Sequence, residues 1–149
     1  HAQFRRQRQM CIRDRLKMAD YKYLIAGIPT WDFGELQEDW EDQWEKLREI
    51  NLESKYVALF GLGDQVGYPE WFQDAMGYLW QKLKDQGAIM VGTWPNQGYS
   101  FTHSKALNAE KSMFLGLPLD DENQFDQTDS KIQVWTKKIL TEFGILNFE

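Results

Sequence analysis

Two aromatic side chains, Trp31 and Tyr68, stand just beyond two dense apolar runs, each among residues small enough to let a ligand approach the backbone. Trp31 lies in Ile28-Pro29-Thr30-Trp31-Asp32-Phe33-Gly34-Glu35, directly after Tyr23-Leu24-Ile25-Ala26-Gly27. Tyr68 closes Leu62-Gly63-Asp64-Gln65-Val66-Gly67-Tyr68, directly after Tyr56-Val57-Ala58-Leu59-Phe60-Gly61. Two rings flanking a slot of backbone amides suit a flat heteroaromatic with polar edges. Taken singly, the members are plainer. Trp31 alone reads as a ring packed on its own loop, Asp64 as an Asx turn, and Gly61-x-Gly63 as ordinary turn punctuation.

Other chemistries lack their residues. The sequence holds no G-x-S-x-G elbow, no Cys-His pair and no phosphate-binding P-loop. Its histidines, His1 and His103, and its single cysteine, Cys11, show no metal-ligand spacing. Asp120-Asp121-Glu122 reads as a solvated loop rather than a site for a hard cation.

The runs that would position the two rings are too short for buried helices and suit strands covered on both faces. The first strand is expected over residues 21–27, ended by Pro29, with residues 30–34 as a loop at its carboxyl end. Leu36, Trp40, Trp44 and Leu47 then mark one face of a helix, with Glu38, Asp39, Glu41, Asp42 and Glu45 on the other. Residues 56–61 form a second strand, and Pro69 suits the first position of the next helix. Phe72, Met76, Leu79 and Leu83 give that helix its inner stripe, and Gly87 its left-handed end. A third strand is expected over 88–92, a polar-aromatic excursion over 93–111, and a further strand over 113–119. The last helix carries Ile132, Trp135, Ile139 and Phe143 inward, with Thr128 or Asp129 as N-cap and Gly144 beyond its end. Alternating strands and helices predict an α/β fold in which helices sandwich a parallel sheet. Ligands bind such sheets at the carboxyl ends of the strands.

The 149 residues suffice for about one domain with a real core. No apolar stretch approaches the ~20 residues that span a bilayer, and one cysteine leaves no internal disulfide, which fits a reducing, cytoplasmic compartment. Charge is uneven. Residues 1–19 carry Arg5, Arg6, Arg8, Arg13, Arg15 and Lys17 against Asp14, a net +5, which leaves −11 on residues 20–149 of a chain whose total is −6. So acidic a body argues against nucleic acid and for a basic partner. Abundant Trp and acids also suit a carbohydrate-binding module, but most Trp fall on predicted inner helix faces or in the two loops.

Residues 23–34 with Leu36-Gln37-Glu38-Asp39-Trp40, then Phe60 to Tyr68 and Phe72-Gln73-Asp74-Ala75, closely resemble a long-chain flavodoxin of cyanobacterial or algal type. The resemblance continues through Gly98-Tyr99, Ser104-Lys105-Ala106-Leu107 and Gly116-Leu117 to Phe143-Gly144, in the same order. It implies a flavodoxin-like three-layer sandwich and an FMN-dependent, low-potential carrier of single electrons, an electron-transfer protein and not an enzyme. By resemblance, Thr30, Trp31, Asp32, Phe33 and Gly34 form the first flavin loop, with Trp31 on one face of the isoalloxazine. Leu62, Gly63, Asp64 and Tyr68 belong to the second, with Tyr68 on the other face, and Gln73 lies close by. The partners implied are basic-surfaced redox proteins such as a ferredoxin-NADP reductase or photosystem I, met by a monomer with no membrane insertion.

One departure stands upstream. Members of that family begin with a strand and a Thr/Ser/Gly-rich loop that cradles the FMN phosphate, whereas residues 1–19 contain no Gly, Ser or Thr. The expectation is an N-terminally incomplete flavodoxin-like domain over 20–149 behind a non-homologous basic head, disordered or artefactual, over 1–19. Residues 21–27 would then form an open apolar sheet edge. The alternative function is that of a truncated fragment binding FMN weakly or not at all.

Overall fold

The computed structural model describes residues 18–145. The basic head expected over residues 1–19 lies outside the described residues, apart from Met18 and Ala19. Met18 is buried against the main core cluster.

Strand β1 (Tyr23–Trp31) pairs in parallel with β3 (Tyr56–Leu62), in register from Tyr23 against Tyr56 to Pro29 against Leu62. It therefore runs through Pro29 instead of stopping there. Among the described residues the far side of β1 pairs only with β2 (Glu35–Leu36), at Thr30 and Trp31. Within the described sheet Pro29 thus lies on an outer strand, where a missing N–H is tolerated. Ile25 on this strand is half exposed; whether the edge expected from the sequence stays open depends on residues outside those described.

The other side of β3 is shared. β4 (Ile89–Val91) pairs with its first half and β7 (Leu117–Leu119) with its second, both in parallel. Between them the excursion forms its own antiparallel pair, β5 (Trp94–Pro95) with β6 (Met113–Phe114). The single strand expected over 113–119 is therefore broken in two. Gly116 marks the break: a Cβ there would stand 2.4 Å from the Leu59 carbonyl oxygen, so the chain crosses the β3 backbone where only glycine fits.

Helices cover both faces. Side chains of β3 alternate, Val57 and Leu59 to one core cluster, Ala58 and Phe60 to the other. The first cluster is closed by α1 (Glu38–Gln43), the 3-10 turn Glu45–Glu49 and α2 (Asp74–Asp85). Leu36, Trp40, Trp44 and Leu47 face it as their spacing predicts, but Asp39 is also buried, and Gln37 Nε2 donates to its carboxylate at 3.2 Å. The second cluster is closed by α3 (Asp121–Glu142) through Trp135, Ile139 and Phe143. The three-layer arrangement is the one predicted.

Two helix starts differ from expectation. α2 begins at Asp74 rather than at Pro69, because Gln73 adopts a left-handed φ of 64° that no continuing helix accommodates. α3 begins at Asp121 rather than after Thr128 or Asp129. The Asp120 carboxylate accepts the Asn123 N–H at 3.0 Å as its N-cap, and a kink at Gln124 separates the first turn from the rest. Ile132 stays 40% exposed instead of joining the core.

Candidate functional site

Both aromatic loops lie at one rim, because β1 and β3 are parallel neighbours and each loop leaves the carboxyl end of its strand. β1 and β2 form a hairpin whose connection is Asp32-Phe33-Gly34. Asp32 and Gly34 take positive φ values of 45° and 84°, and Gly34 supplies the left-handed residue that closes a three-residue hairpin loop. The loop is thus shorter than the 30–34 expected, since Thr30 and Trp31 still belong to β1. Thr30 is turned inward: its Oγ1 accepts the Ala75 N–H at 3.0 Å and ties the hairpin to the first turn of α2. Trp31 and Phe33 point outward, 48% and 63% exposed.

The second loop follows β3. Leu62 and Val66 are exposed, and Tyr68 is half buried. Asp64 folds the loop on itself as an Asx turn. Its Oδ1 accepts N–H groups from Val66 at 3.1 Å and Gly67 at 2.7 Å, and Nδ2 of Asn123 at 2.8 Å. Those donors, the Gly67 amide first, hold the Asp64 carboxyl below its ordinary range against the opposing effect of burial. A side chain at Gly67 would collide with that carboxylate, its Cβ only 2.4 Å from Oδ2.

Phe33 joins the two loops. Its ring stands edge-on to Tyr68, centroids 5.9 Å apart, and edge-on to Trp71 at 4.9 Å. The Asp32 carboxylate raises the Tyr68 phenol above its usual range, by its charge and by hydrogen bonding. The rim therefore presents exposed apolar side chains, Trp31, Phe33, Leu62 and Val66, beside carboxylates. An uncovered apolar patch of this kind fits the planar part of a ring ligand.

The slot of free amides expected from the sequence is mostly closed. Gly63 donates to the Leu119 carbonyl at 3.0 Å, and Gln65 to Asp120 Oδ2 at 3.0 Å. Val66 and Gly67 donate to Asp64, and Tyr68 to the Asp64 carbonyl at 3.0 Å. Gln73 is fully buried, beneath the carboxyl ends of β3 and β7 rather than exposed at the rim. Its Nε2 donates to the carbonyls of Gly61 at 3.3 Å and Leu119 at 3.0 Å, while its Oε1 has no partner among the described residues.

Sequence reasoning missed Gln65, Asp120 and Asn123, which hold the second loop from beneath. Asp120 carried a readable signal, an acid directly between a strand and a helix and three residues before a polar side chain, the pattern of an N-cap. Among the described residues no group of three or more acids, histidines or cysteines could hold a metal ion, and Asp120 is buried as a cap rather than lying in a solvated loop. No helix among them is long and apolar enough to cross a membrane.

A parallel sheet between helices, with two aromatic loops side by side at its carboxyl rim, defines an α/β protein of the class that binds flat, nucleotide-like cofactors at that edge. The flavodoxin family profile matches residues 4–135. The chain is 55% identical over 127 residues to Flavodoxin 2 of Escherichia coli, covering 85% of this chain and 73% of that one. It is 48% identical over 126 residues to a flavodoxin of Nostoc, with the same coverage. Its fold matches the crystal structure of Fusobacterium nucleatum flavodoxin bound to flavin mononucleotide at a TM-score of 0.81 and 28% identity, covering 91% of each chain. The chain belongs to the flavodoxin family. It is accordingly an electron-transfer protein rather than an enzyme, and that membership favours the carrier over the flavin-free fragment.

Proposed function

We propose that the chain holds FMN at the carboxyl rim of β1 and β3 and carries single electrons at low potential between redox proteins. One observation carries the reading: the register that sets Pro29 beside Leu62 brings the loops of Trp31 and Tyr68 to the same rim. FMN, when bound, supplies the electron chemistry. The chain's own residues orient and screen it. Trp31 offers an exposed indole for one face of the isoalloxazine, and Tyr68 a phenol for the other. Asp32, Phe33 and Gly34 on one side, and Leu62, Gly63 and Asp64 on the other, form the walls. Thr30 and Gln73 act from within: Thr30 fixes the hairpin to α2, and Gln73 fixes the end of β3 to β7.

Titration of flavin fluorescence tests the site. Truncating a stacking ring costs about 1–3 kcal/mol, so Trp31→Ala and Tyr68→Ala should each weaken FMN binding roughly tenfold or more. Affinities equal to the wild type in both variants would remove the stacking assignment. The expectation of weak FMN binding rested on the head, most of which lies outside the described residues, and the same titration of the wild type decides it. For partners we propose basic-surfaced proteins of the type of ferredoxin-NADP reductase or photosystem I, and for compartment the cytoplasm. The acidic body and the single cysteine support these assignments.

A further inference from the structure

One amide of the second loop, that of Gln65, is held by a buried carboxylate. Asp120 is 1% exposed and sits between β7 and α3. Its Oδ2 accepts the Gln65 N–H at 3.0 Å, the Gln65 Nε2 at 2.8 Å and the Asn123 Nδ2 at 2.8 Å, while its Oδ1 caps the helix. Gln65, 3% exposed, carries the connection onward: its Oε1 accepts the Ser100 N–H of the excursion at 2.6 Å. Asn123 closes the network by donating to Asp64 as well, so one amide bridges both carboxylates.

Such an arrangement has more polar partners than a helix cap needs. Asp120 would cap α3 through Oδ1 alone. The contacts at Oδ2 instead fix a peptide plane of the loop and, through Asn123, steady the carboxylate that gathers the next two amides. A buried carboxylate accepting several N–H bonds holds those donors in one orientation, since releasing any of them leaves a charge uncompensated.

We propose that Asp120, acting through Gln65 and Asn123, is the positioning group that sets which way the peptides of residues 64–67 point toward the flavin, and thereby its affinity and redox balance. This rests on FMN occupying the rim as proposed above. Asp120 touches no ligand itself. It determines that Val66 and Gly67 spend their donors on Asp64 and that the ligand meets the outward side of the loop. Because Gln65 also holds Ser100, the excursion is tied to the same orientation.

The test uses Asp120→Ala, Gln65→Leu and Asn123→Ala in the full chain. Asn123 is exposed, so its variant remains informative if the buried substitutions prevent folding. The first readout needs no flavin: amide hydrogen exchange at Gln65, Val66 and Gly67 should speed up about tenfold or more in Asp120→Ala, with helix α2 unchanged. The second is FMN titration, expected to weaken about tenfold in Asp120→Ala and Gln65→Leu and less in Asn123→Ala. The third is the separation of the two one-electron midpoint potentials. A threefold change in the ratio of the two one-electron constants appears as about 28 mV, at 59 mV per tenfold. A merely structural role would alter global stability and leave that separation in place. Unchanged exchange at residues 65–67 overturns the proposal whether or not flavin binds. Faster exchange with unchanged affinity and unchanged potentials overturns its second half. A wild type that binds no FMN, with exchange altered as expected, strikes the FMN reading instead and leaves the positioning of the loop established.

Discussion

Asp64 and Asp74 are carboxylates whose surroundings act in opposite directions. Amide donors, Gly67 foremost, pull the Asp64 carboxyl below its ordinary value of 3.8. Its ionised form is therefore favoured by folding, and its contribution is complete above that value and lost as pH falls through the folded-state pKa. Burial pushes Asp74 the other way, although the Lys105 N–H donates to it at 2.9 Å. Folding must then hold a buried carboxyl ionised, and stability declines as pH rises from 3.8 toward the raised pKa. In urea unfolding from neutral pH downward, Asp64→Asn should trail the wild type by a constant margin until pH falls to about 4, and the gap should close only as pH falls further, through the lowered folded-state pKa. Asp74→Asn should gain on the wild type as pH rises over the same range. Parallel curves for the three proteins would contradict both assignments. At this scale the aromatic rings of the rim were legible, because an exposed Trp beside glycine needs no partner to be noticed. Gln65 and Asp120 were not, because their role exists only when residues 55 apart in sequence meet.

Among the elements, α3 shows where periodicity ends and packing begins. Ile132, Trp135, Ile139 and Phe143 form one stripe in the sequence, yet Ile132 stays 40% exposed while Trp135 is 3% exposed. The Trp135 Nε1 donates to the Gly92 carbonyl at 2.8 Å, and Glu142 accepts the Gly92 N–H at 2.8 Å, so the helix grips the end of β4 by its backbone. Trp135→Phe keeps the ring and leaves that buried carbonyl unpaired, a loss of about 1–3 kcal/mol. Ile132→Ser should cost no more than about 0.5 kcal/mol, as for other surface substitutions. Equal losses in urea unfolding would mean that the stripe is buried along its whole length. The parallel strands were legible for a simple reason: burial on both faces writes them as unbroken apolar runs. Their ends were not. Pro29 stays within the β1–β3 pairing, Gln73 turns left-handed to reach two carbonyls, and Gly116 splits a strand by crossing β3. Each of those outcomes depends on a neighbour that local sequence does not name.

Over the whole molecule the excess of acids invites two roles, and magnitude separates them. One carboxylate ~10 Å from a reduced flavin shifts its energy by about 1.7 kcal/mol at an effective dielectric of ~20, but by only about 0.4 kcal/mol in water. For a one-electron step these are roughly 70 and 20 mV. Glu35 and Glu38 are exposed and belong near the smaller figure, so they contribute little to the potential. Asp39, buried against Gln37, belongs with neither role. Glu35 pairs with Trp31 across the β1–β2 hairpin, at the rim itself, where an approaching cationic surface would meet its field first. Long-range attraction of this kind raises association rates about 10- to 1,000-fold and fades within a Debye length of about 8–10 Å at moderate salt. Replacing Glu35 and Glu38 together by Lys should therefore slow electron transfer to a basic redox protein by about tenfold at low ionic strength. The deficit should shrink steadily with added salt, because screening removes the attraction in the wild type and the repulsion in the variant alike. FMN affinity should change by less than about threefold, since neither side chain belongs to the ring-binding walls. Stopped-flow rates measured across a salt series decide it: a deficit that persists unchanged into high salt would place these acids in the contact itself, and equal rates at low salt would leave the acidic face without a role in docking.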